Sequence, residues 1–402
     1  MLNNRGDVTS LPWIQVWISW VYALLAFFSL WPFVSWKWPV MPLTAIVISY
    51  CMVTFDFFII NKCKILPFKF ILFLFLSIGS CFFLIYPGGL PPWFNYYSIF
   101  LVLLLLLPVE NIQIISNNFR TIFVFSLIPG LFIYFLLAVG FKLPFSILDA
   151  HNELKDTLGI YYRDYGATIA LSHLIVEYGG GELIRFSGML DEPGLLGTVC
   201  ALLLLADKCD IKRPSNIILL ISGILSISLV FYILMVVGWV AQSRNKSKIL
   251  FLLSFVGFFV YYSPLYENFL AKRINPEDGV VDNRVSECFQ SFYDKFLSSD
   301  AMTLFLGNGN NAHIFTGCDV SSYKMYIYDY GYVGVLFLVL LLCVQYITPL
   351  IGRGDFFSFI KSNIVFLGAF IISYYQRPVL FSLSFTMIFI YCYNRFIERG
   401  VK

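Results

Sequence analysis

Residues 215–242 read SNIILLISGILSISLVFYILMVVGWVAQ, and the charges that flank them decide how the chain is arranged. Lys208, Lys212 and Arg213 stand upstream; Arg244, Lys246 and Lys248 stand downstream. Short loops rich in lysine and arginine stay on the cytoplasmic side of a bilayer. A single crossing between these two loops would put one of them outside. Gly223, Ser226 and Ser228 weaken the apolar run. The stretch is therefore read as two short half-crossings that turn near Ser222–Ser228. Irregular backbone at membrane depth survives only where protein or a wet cavity covers it, which places the hairpin inside a bundle. One long tilted helix with an imperfect charge rule is the alternative.

The composition of the 402 residues agrees with a bundle: 59% are hydrophobic, 19% aromatic and 13% charged, with a mean hydropathy of +0.79. A soluble domain carries about 25% charged residues. An ordinary cytosolic enzyme and a disordered chain are excluded, and a net charge of +3 is too small for coating nucleic acid. Further apolar spans lie near 11–34, 39–60, 65–86, 93–109, 121–141, 190–206, 249–263, 328–349, 361–373 and 378–394. The first is too long for a cleaved signal peptide. With the hairpin counted twice, the sequence predicts an all-α polytopic membrane protein of about twelve transmembrane helical segments, forming a single integral membrane domain over 1–402. The remaining basic loops (Lys62 and Lys64; Arg120; Arg353 and Lys361; Arg395, Arg399 and Lys402) put both termini in the cytoplasm.

Two large outer loops follow from this topology, about 142–189 and 264–327. Loops beyond ~12–15 residues usually carry function or are disordered. In the first, Ala167, Ala170, Leu171, Leu174, Ile175 and Tyr178 form a stripe at helical spacing that ends at a Gly179-Gly180-Gly181 hinge. In the second, Val285, Cys288, Phe289, Phe292 and Phe296 form another, opposite Glu287, Gln290 and Asp294. Both predict helices lying at the membrane surface over a cavity. All three histidines fall in these loops, with Arg163, Arg185, Arg273 and Arg284; Arg377 opens a late span on the same side.

The stretch Arg185-Phe-Ser-Gly-Met-Leu-Asp-Glu-Pro-Gly-Leu-Leu-Gly197 sets an arginine and two adjacent acids at the mouth of a span. Pro193 fits the first turn of a helix, which leaves Asp191 and Glu192 near the positive end of its dipole. Charges at this depth are costly and point to function; the plain alternative is an ion pair that closes the loop onto the bundle. Arg284 alone reads as a solvated helix face and Arg377 alone as a snorkelling anchor. Three guanidinium forks opening on one cavity would suit a diphosphate, whose oxygens they bind bidentately. No Asp-x-Asp pair or His-x-x-His lies in these loops, so no divalent metal is suggested and no cofactor fingerprint is present. His313 follows Leu306-Gly-Asn-Gly-Asn-Asn311, whose exposed amides would suit an anion. Cys288 and Cys318 share one outer loop, as a disulfide or as two separately packed thiols. The spans hold almost no mid-membrane acid, which disfavours a proton-coupled transporter.

Arg185-Phe-Ser-Gly188 followed by Asp191-Glu-Pro-Gly194 and Gly197 resembles the motif of bacterial O-antigen polymerases (Wzy-type), in the superfamily of membrane glycosyltransferases that also holds the O-antigen ligases. Leu306-Gly-Asn-Gly309, Tyr330-Gly-Tyr-Val-Gly334 and Tyr375-Gln-Arg-Pro378 resemble later segments of that family, so the likeness covers roughly residues 185–395. It implies about twelve helices with two periplasmic loops in the inner membrane. It also implies an undecaprenyl diphosphate-linked glycan as substrate, and a chain-length regulator and a flippase as partners. Arg185 and Arg284 match the positions that hold the diphosphate, with Arg377, Asp191 and His313 as further substrate contacts. Glu192, or failing that Asp319, would orient or deprotonate the acceptor hydroxyl, since a carboxylate can take that proton. Ligases carry a histidine about ten residues before the acid that precedes the last glycine motif. Counting back from Asp329, this chain has Asp319, Val320, Ser321 and Ser322 there. That departure argues for a polymerase of O-antigen, capsule or exopolysaccharide over a ligase. A lipid-linked sugar flippase would want short loops and cations deep in the bundle.

Overall fold

The computed structural model describes residues 13–30, 33, 41–55, 107, 109–149, 159–178, 181–242, 285–309, 312–318, 320, 322–347, 356–376 and 383–400, with isolated positions at 58, 70, 71, 74, 78, 254, 261 and 262. These residues are mostly helical. Helices α1 (Trp13–Phe28), α2 (Met41–Phe55) and α3 (Val109–Val139) come first. A sheet of β1 (Ser146–Leu148), β2 (Tyr162–Asp164) and β3 (Ile169–Leu171) and a hairpin of β4 (Ile175–Tyr178) and β5 (Gly181–Ile184) follow. Then come α4 (Pro193–Ala206), α5 (Pro214–Leu225), α6 (Leu229–Gln242), α7 (Glu287–Leu297), α8 (Ala301–Leu306) and α9 (Ala312–Phe315). The described elements end with α10 (Lys324–Ile347), α11 (Phe356–Ser362), α12 (Ile364–Gln376) and α13 (Leu383–Gly400).

Helix α4 is the pillar of the bundle. Pro193 sits in its first turn behind an extended Glu192, as the sequence predicts, because proline has no N–H to lose there. It is apolar all round and nearly every residue of it is buried, the mark of a helix enclosed by others. Helices α5, α6, α12 and α13 pack against it.

The hairpin at 215–242 is present. Helix α5 ends at Ser226 and α6 begins at Leu229. A Cβ on Gly197, in the second turn of α4, would press on Ser226 and Ser228, whereas Gly238 of α6 lies against Leu205 and Cys209 at the far end of α4. Helix α5 therefore runs antiparallel to α4 and α6 parallel to it, and both ends of the hairpin return to one end of the bundle. At 12 and 14 residues the two helices are about 18 and 21 Å long, too short for a ~30 Å hydrocarbon core.

At that end, the Asp207 carboxylate closes α4 and is fully buried. It accepts from Arg120 Nη2 (2.9 Å), Arg213 Nη1 (3.3 Å), Arg395 Nε (2.8 Å) and the Tyr391 hydroxyl (2.9 Å). An acid at the negative end of a helix dipole is unfavourable unless cations offset it. Here three arginines from separate parts of the chain do so, tying α3, the α4–α5 turn and α13 together. Arg120, Arg213 and Arg395, which the charge rule grouped, thus converge in space.

Several expectations fail. The chain is not all-α, since the described residues of 142–189 include five short strands. The apolar positions there match helical spacing, but they lie in short runs rich in β-branched and aromatic residues that form β3, β4 and β5. Tyr178 pairs with Gly181 in an antiparallel register, the geometry of a two-residue hairpin loop. Cross-strand pairing outweighs a periodicity that spans barely two turns. Residues 110–120, read as part of a loop, belong to the 31-residue helix α3. Among the described residues, α3 over Glu110–Val139 is the one helix long and apolar enough to cross a membrane, beside five shorter apolar helices. Twelve spans are not seen in what is described; the expected spans near 65–86, 93–109 and 249–263 lie almost wholly outside it.

Candidate functional site

The segment Arg185-Phe-Ser-Gly188 leads from β5 to α4 beneath the hairpin turn. Arg185 is buried; its Nε donates to the Ser226 carbonyl (3.2 Å) and its Nη2 to the Ile227 carbonyl (3.0 Å). The Phe186 amide donates to the Leu225 carbonyl at 3.0 Å. These bonds satisfy carbonyls at the end of α5 that have no partner within the helix, and a cation there suits the dipole. Ile227 adopts a left-handed φ of 48°, uncommon for a β-branched residue and sustained only where surroundings impose it. The Arg185 fork is one such restraint. Asp191 and Glu192 sit half-buried at the start of α4, in the place the sequence assigned them. Glu192 makes no side-chain cap to the helix; its carbonyl accepts from Leu195 and Leu196.

A second group assembles at the start of α10. Gly307 (φ 77°) and Gly331 (φ 62°) both lie in the left-handed region, and their backbones touch. A Cβ on Gly307 would strike the Asp329 carbonyl, and one on Gly331 the Phe305 carbonyl. Glycine is required twice over, for conformation and for space. The Asn308 and Gly309 amides donate to the Tyr328 and Asp329 carbonyls at 3.0 and 2.9 Å. The Asn308 and Gly309 amides, in the stretch expected to meet an anion, thus hold the kink in α10 instead, and the Gly307 amide closes α8 on the Thr303 carbonyl.

That docking aims Asp329 at His313. Asp329 Oδ1 accepts from the His313 amide at 2.9 Å, and Oδ2 lies 2.6 Å from His313 Nδ1. The carboxylate is 3% exposed and the imidazole 20%. A carboxylate only accepts hydrogen bonds when ionised, so it selects the neutral tautomer with its proton on Nδ1 and leaves the Nε2 lone pair available. This is the base-and-orienter arrangement of nucleophile-activating sites.

The loop carrying the pair is tied down by a Cys288–Cys318 disulfide, five residues beyond His313, so of the two readings of these cysteines the bridge holds. Ser286 caps α7 through the Phe289 amide, and Phe289, Tyr293 and Phe296 form its buried face. The helix is as expected but rotated, with Phe292 exposed and Tyr293 in its place. Burial pushes the Tyr293 phenol up to about 12. The Lys324 ammonium sits over that ring, 5.6 Å from its centroid, and donates to Gln290 Oε1 at 2.7 Å.

Of the residues singled out by sequence, the structure puts Arg185 on the hairpin turn, Asp191 and Glu192 at the start of α4, and His313 on Asp329. Arg284, Asp319 and Arg377 lie outside the described residues. The starts of α4 and α10 belong to one hydrophobic core, through Leu190 and Leu195 on one side and Tyr326 and Tyr330 on the other. Asp329 was missed as a partner because it is sixteen residues from His313. The signal was the acid directly before a Tyr-Gly-Tyr-Val-Gly run, which sets it beside a kink. Among the described residues no group of three or more His, Cys, Asp or Glu is placed to hold a metal ion. No family model, curated protein or solved structure matches this chain.

Proposed function

We propose that this chain is a polytopic glycosyltransferase of a bacterial inner membrane, with about twelve helical segments and both termini in the cytoplasm. It joins undecaprenyl diphosphate-linked oligosaccharide repeat units on the periplasmic face, as an O-antigen polymerase does. One observation carries the reading: the His313–Asp329 pair, held by two touching glycines in an outer loop closed by a disulfide. A disulfide needs an oxidising compartment, which agrees with a periplasmic loop. The motif likeness over residues 185–395 supplies the substrate class.

In this mechanism His313 Nε2 takes the proton from an acceptor sugar hydroxyl as its oxygen attacks the donor's anomeric carbon. The anomeric carbon–oxygen bond breaks, and the lipid diphosphate leaves with the electron pair. Asp329 holds the ring's orientation and stabilises the imidazolium that forms. The base is thus His313, in place of Glu192 or Asp319; Glu192, at a helix N-terminus, orients the acceptor. Arg284 retains the diphosphate-binding role that the likeness assigns it, with Arg377 assisting, and charge developing on the leaving group is where such forks act most strongly. Arg185 fixes the turn that floors the site.

The ligase reading gains from the same geometry. The histidine absent at its usual spacing is supplied from His313, so spacing no longer separates the two activities. Deletion of the gene followed by gel display of lipopolysaccharide separates them: loss of a polymerase leaves core bearing one repeat unit, and loss of a ligase leaves bare core. Complementation with His313→Ala should lower ladder intensity per protein about 10²–10⁴-fold, the usual worth of a general base. Full ladders from that variant would remove His313 from the chemistry.

A further inference from the structure

The end of the bundle that carries Asp207 holds more positive charge than its own carboxylates balance. Arg120, Arg213 and Arg395 surround Asp207, with Arg213 shared with Asp210 and Arg395 with Glu398. Two more cations lie beside them. Arg399 donates from Nη2 to the Ala206 carbonyl at 2.8 Å, while its Nη1 is buried without a hydrogen-bond partner. Lys208 Nζ reaches Ser362 Oγ at 3.3 Å. Neither has a carboxylate within ion-pair reach among the described residues. Among the described residues around Asp207, five cations thus face three carboxylates.

Such an excess is costly where water is partly excluded, because like charges repel and donors lose hydration. Burial and the Arg399 charge together lower the Lys208 pKa, so the two cations share one neighbourhood. The backbone accepts strain to put Lys208 there: Lys208 and Cys209 are consecutive non-glycine residues with left-handed φ of 54° and 52°, a state that usually needs a reason in function or packing. A bound anion would remove the imbalance and give the Arg399 Nη1 a partner.

We infer that Lys208 and Arg399 form a binding site for a phosphate group, supplied by an anionic phospholipid of the leaflet on this side. The position fits a headgroup. Leu205 and Ala206 are wholly apolar and buried, Asp207 and Lys208 follow at once, and the change from apolar to charged is where lipid phosphates lie. The inference rests on the membrane reading above but not on the polymerase reaction, and the two fail in different assays.

The test is native mass spectrometry of the purified full chain in detergent, titrated with phosphatidylglycerol and, in parallel, with zwitterionic phosphatidylcholine. Wild type should hold phosphatidylglycerol at least tenfold more tightly than phosphatidylcholine, and Lys208→Ala/Arg399→Ala should lose that preference at an unchanged melting temperature. If the double alanine variant does not fold, Lys208→Arg/Arg399→Lys keeps both charges and should keep the preference. Equal retention of the two lipids by wild type, an undiminished preference in a folded double alanine variant, or loss of the preference in a folded charge-keeping variant overturns the site. Inorganic phosphate forms the competing arm: competition at millimolar concentration that depends on the same two residues, with no lipid preference, keeps the phosphate site but rejects the lipid as its source.

Discussion

Two aspartates, Asp207 and Asp329, stand at opposite extremes of what a buried carboxylate can do. Both are almost wholly inaccessible and both sit where a helix is interrupted. Asp207 receives three arginines and a tyrosine hydroxyl, three of these donors on Oδ1 and Arg120 on Oδ2, and the group acts as a tie between helices. Asp329 takes one half-buried imidazole and a backbone amide, and the ring it orients keeps a second nitrogen. A carboxylate surrounded by fixed cations ties helices together; one that orients an imidazole is placed as the orienter of a base would be.

The sharpest way to break this comparison is to remove each acid. Asp329→Asn should lower polymer ladder intensity per protein about 10²–10⁴-fold with little change in accumulation, because the amide still fits but can offer its N–H₂ to Nδ1 and so select the wrong tautomer. Asp207→Ala should do the reverse. It removes the carboxylate that Arg120, Arg213 and Arg395 share, at a cost of about 3–5 kcal/mol, so the protein should fail to accumulate while whatever remains keeps its activity. Immunoblot-normalised ladders measure both, and the same pattern from the two variants would erase the distinction.

Arg185 sharpens the picture at the level of a single side chain. In Arg185→Ala the Ser226 and Ile227 carbonyls lose their donor, at about 1–3 kcal/mol for each buried group. Membrane abundance should drop with ladder intensity per protein retained, and Arg185→Lys should be intermediate in abundance. A collapse of ladders per protein in the lysine variant at normal abundance would instead make Arg185 a diphosphate ligand, since lysine keeps the charge but not the fork. The smallest effect belongs to Ser286→Ala, which removes the α7 cap and should cost about 1 kcal/mol, read as a lower melting temperature of the detergent-purified protein with near-normal ladders.

Much of this architecture is legible in a linear reading where the cause is local or follows from charge counting. The hairpin at 215–242 follows from two basic loops and one interrupted apolar run, and the start of α4 at Pro193 follows from proline's missing N–H. The helix over Glu287–Leu297 follows from an amphipathic stripe. Local spacing misleads in two places. Over 167–184 it stands equally for a short helix or for strands, and only the pairing of β4 with β5 decides. Around Phe292 and Tyr293 either ring could complete the buried face, and the neighbouring Tyr328 ring, 5.4 Å from Phe289 and 5.5 Å from Phe296, lies on the side that α7 presents to the core.

By itself the sequence determined the apolar character of the bundle, the hairpin, and the two stretches, 142–189 and 264–327, where its histidines fall. Tertiary structure alone decided what the residues there do. Arg185 turned out to meet backbone carbonyls forty residues away, and His313 to meet an acid sixteen residues downstream. Hydropathy and charge rules are sums over neighbours along the chain, so they place segments. A hydrogen bond depends on where two distant segments cross, and here that was settled by Gly197 against the hairpin turn and by Gly307 against Gly331.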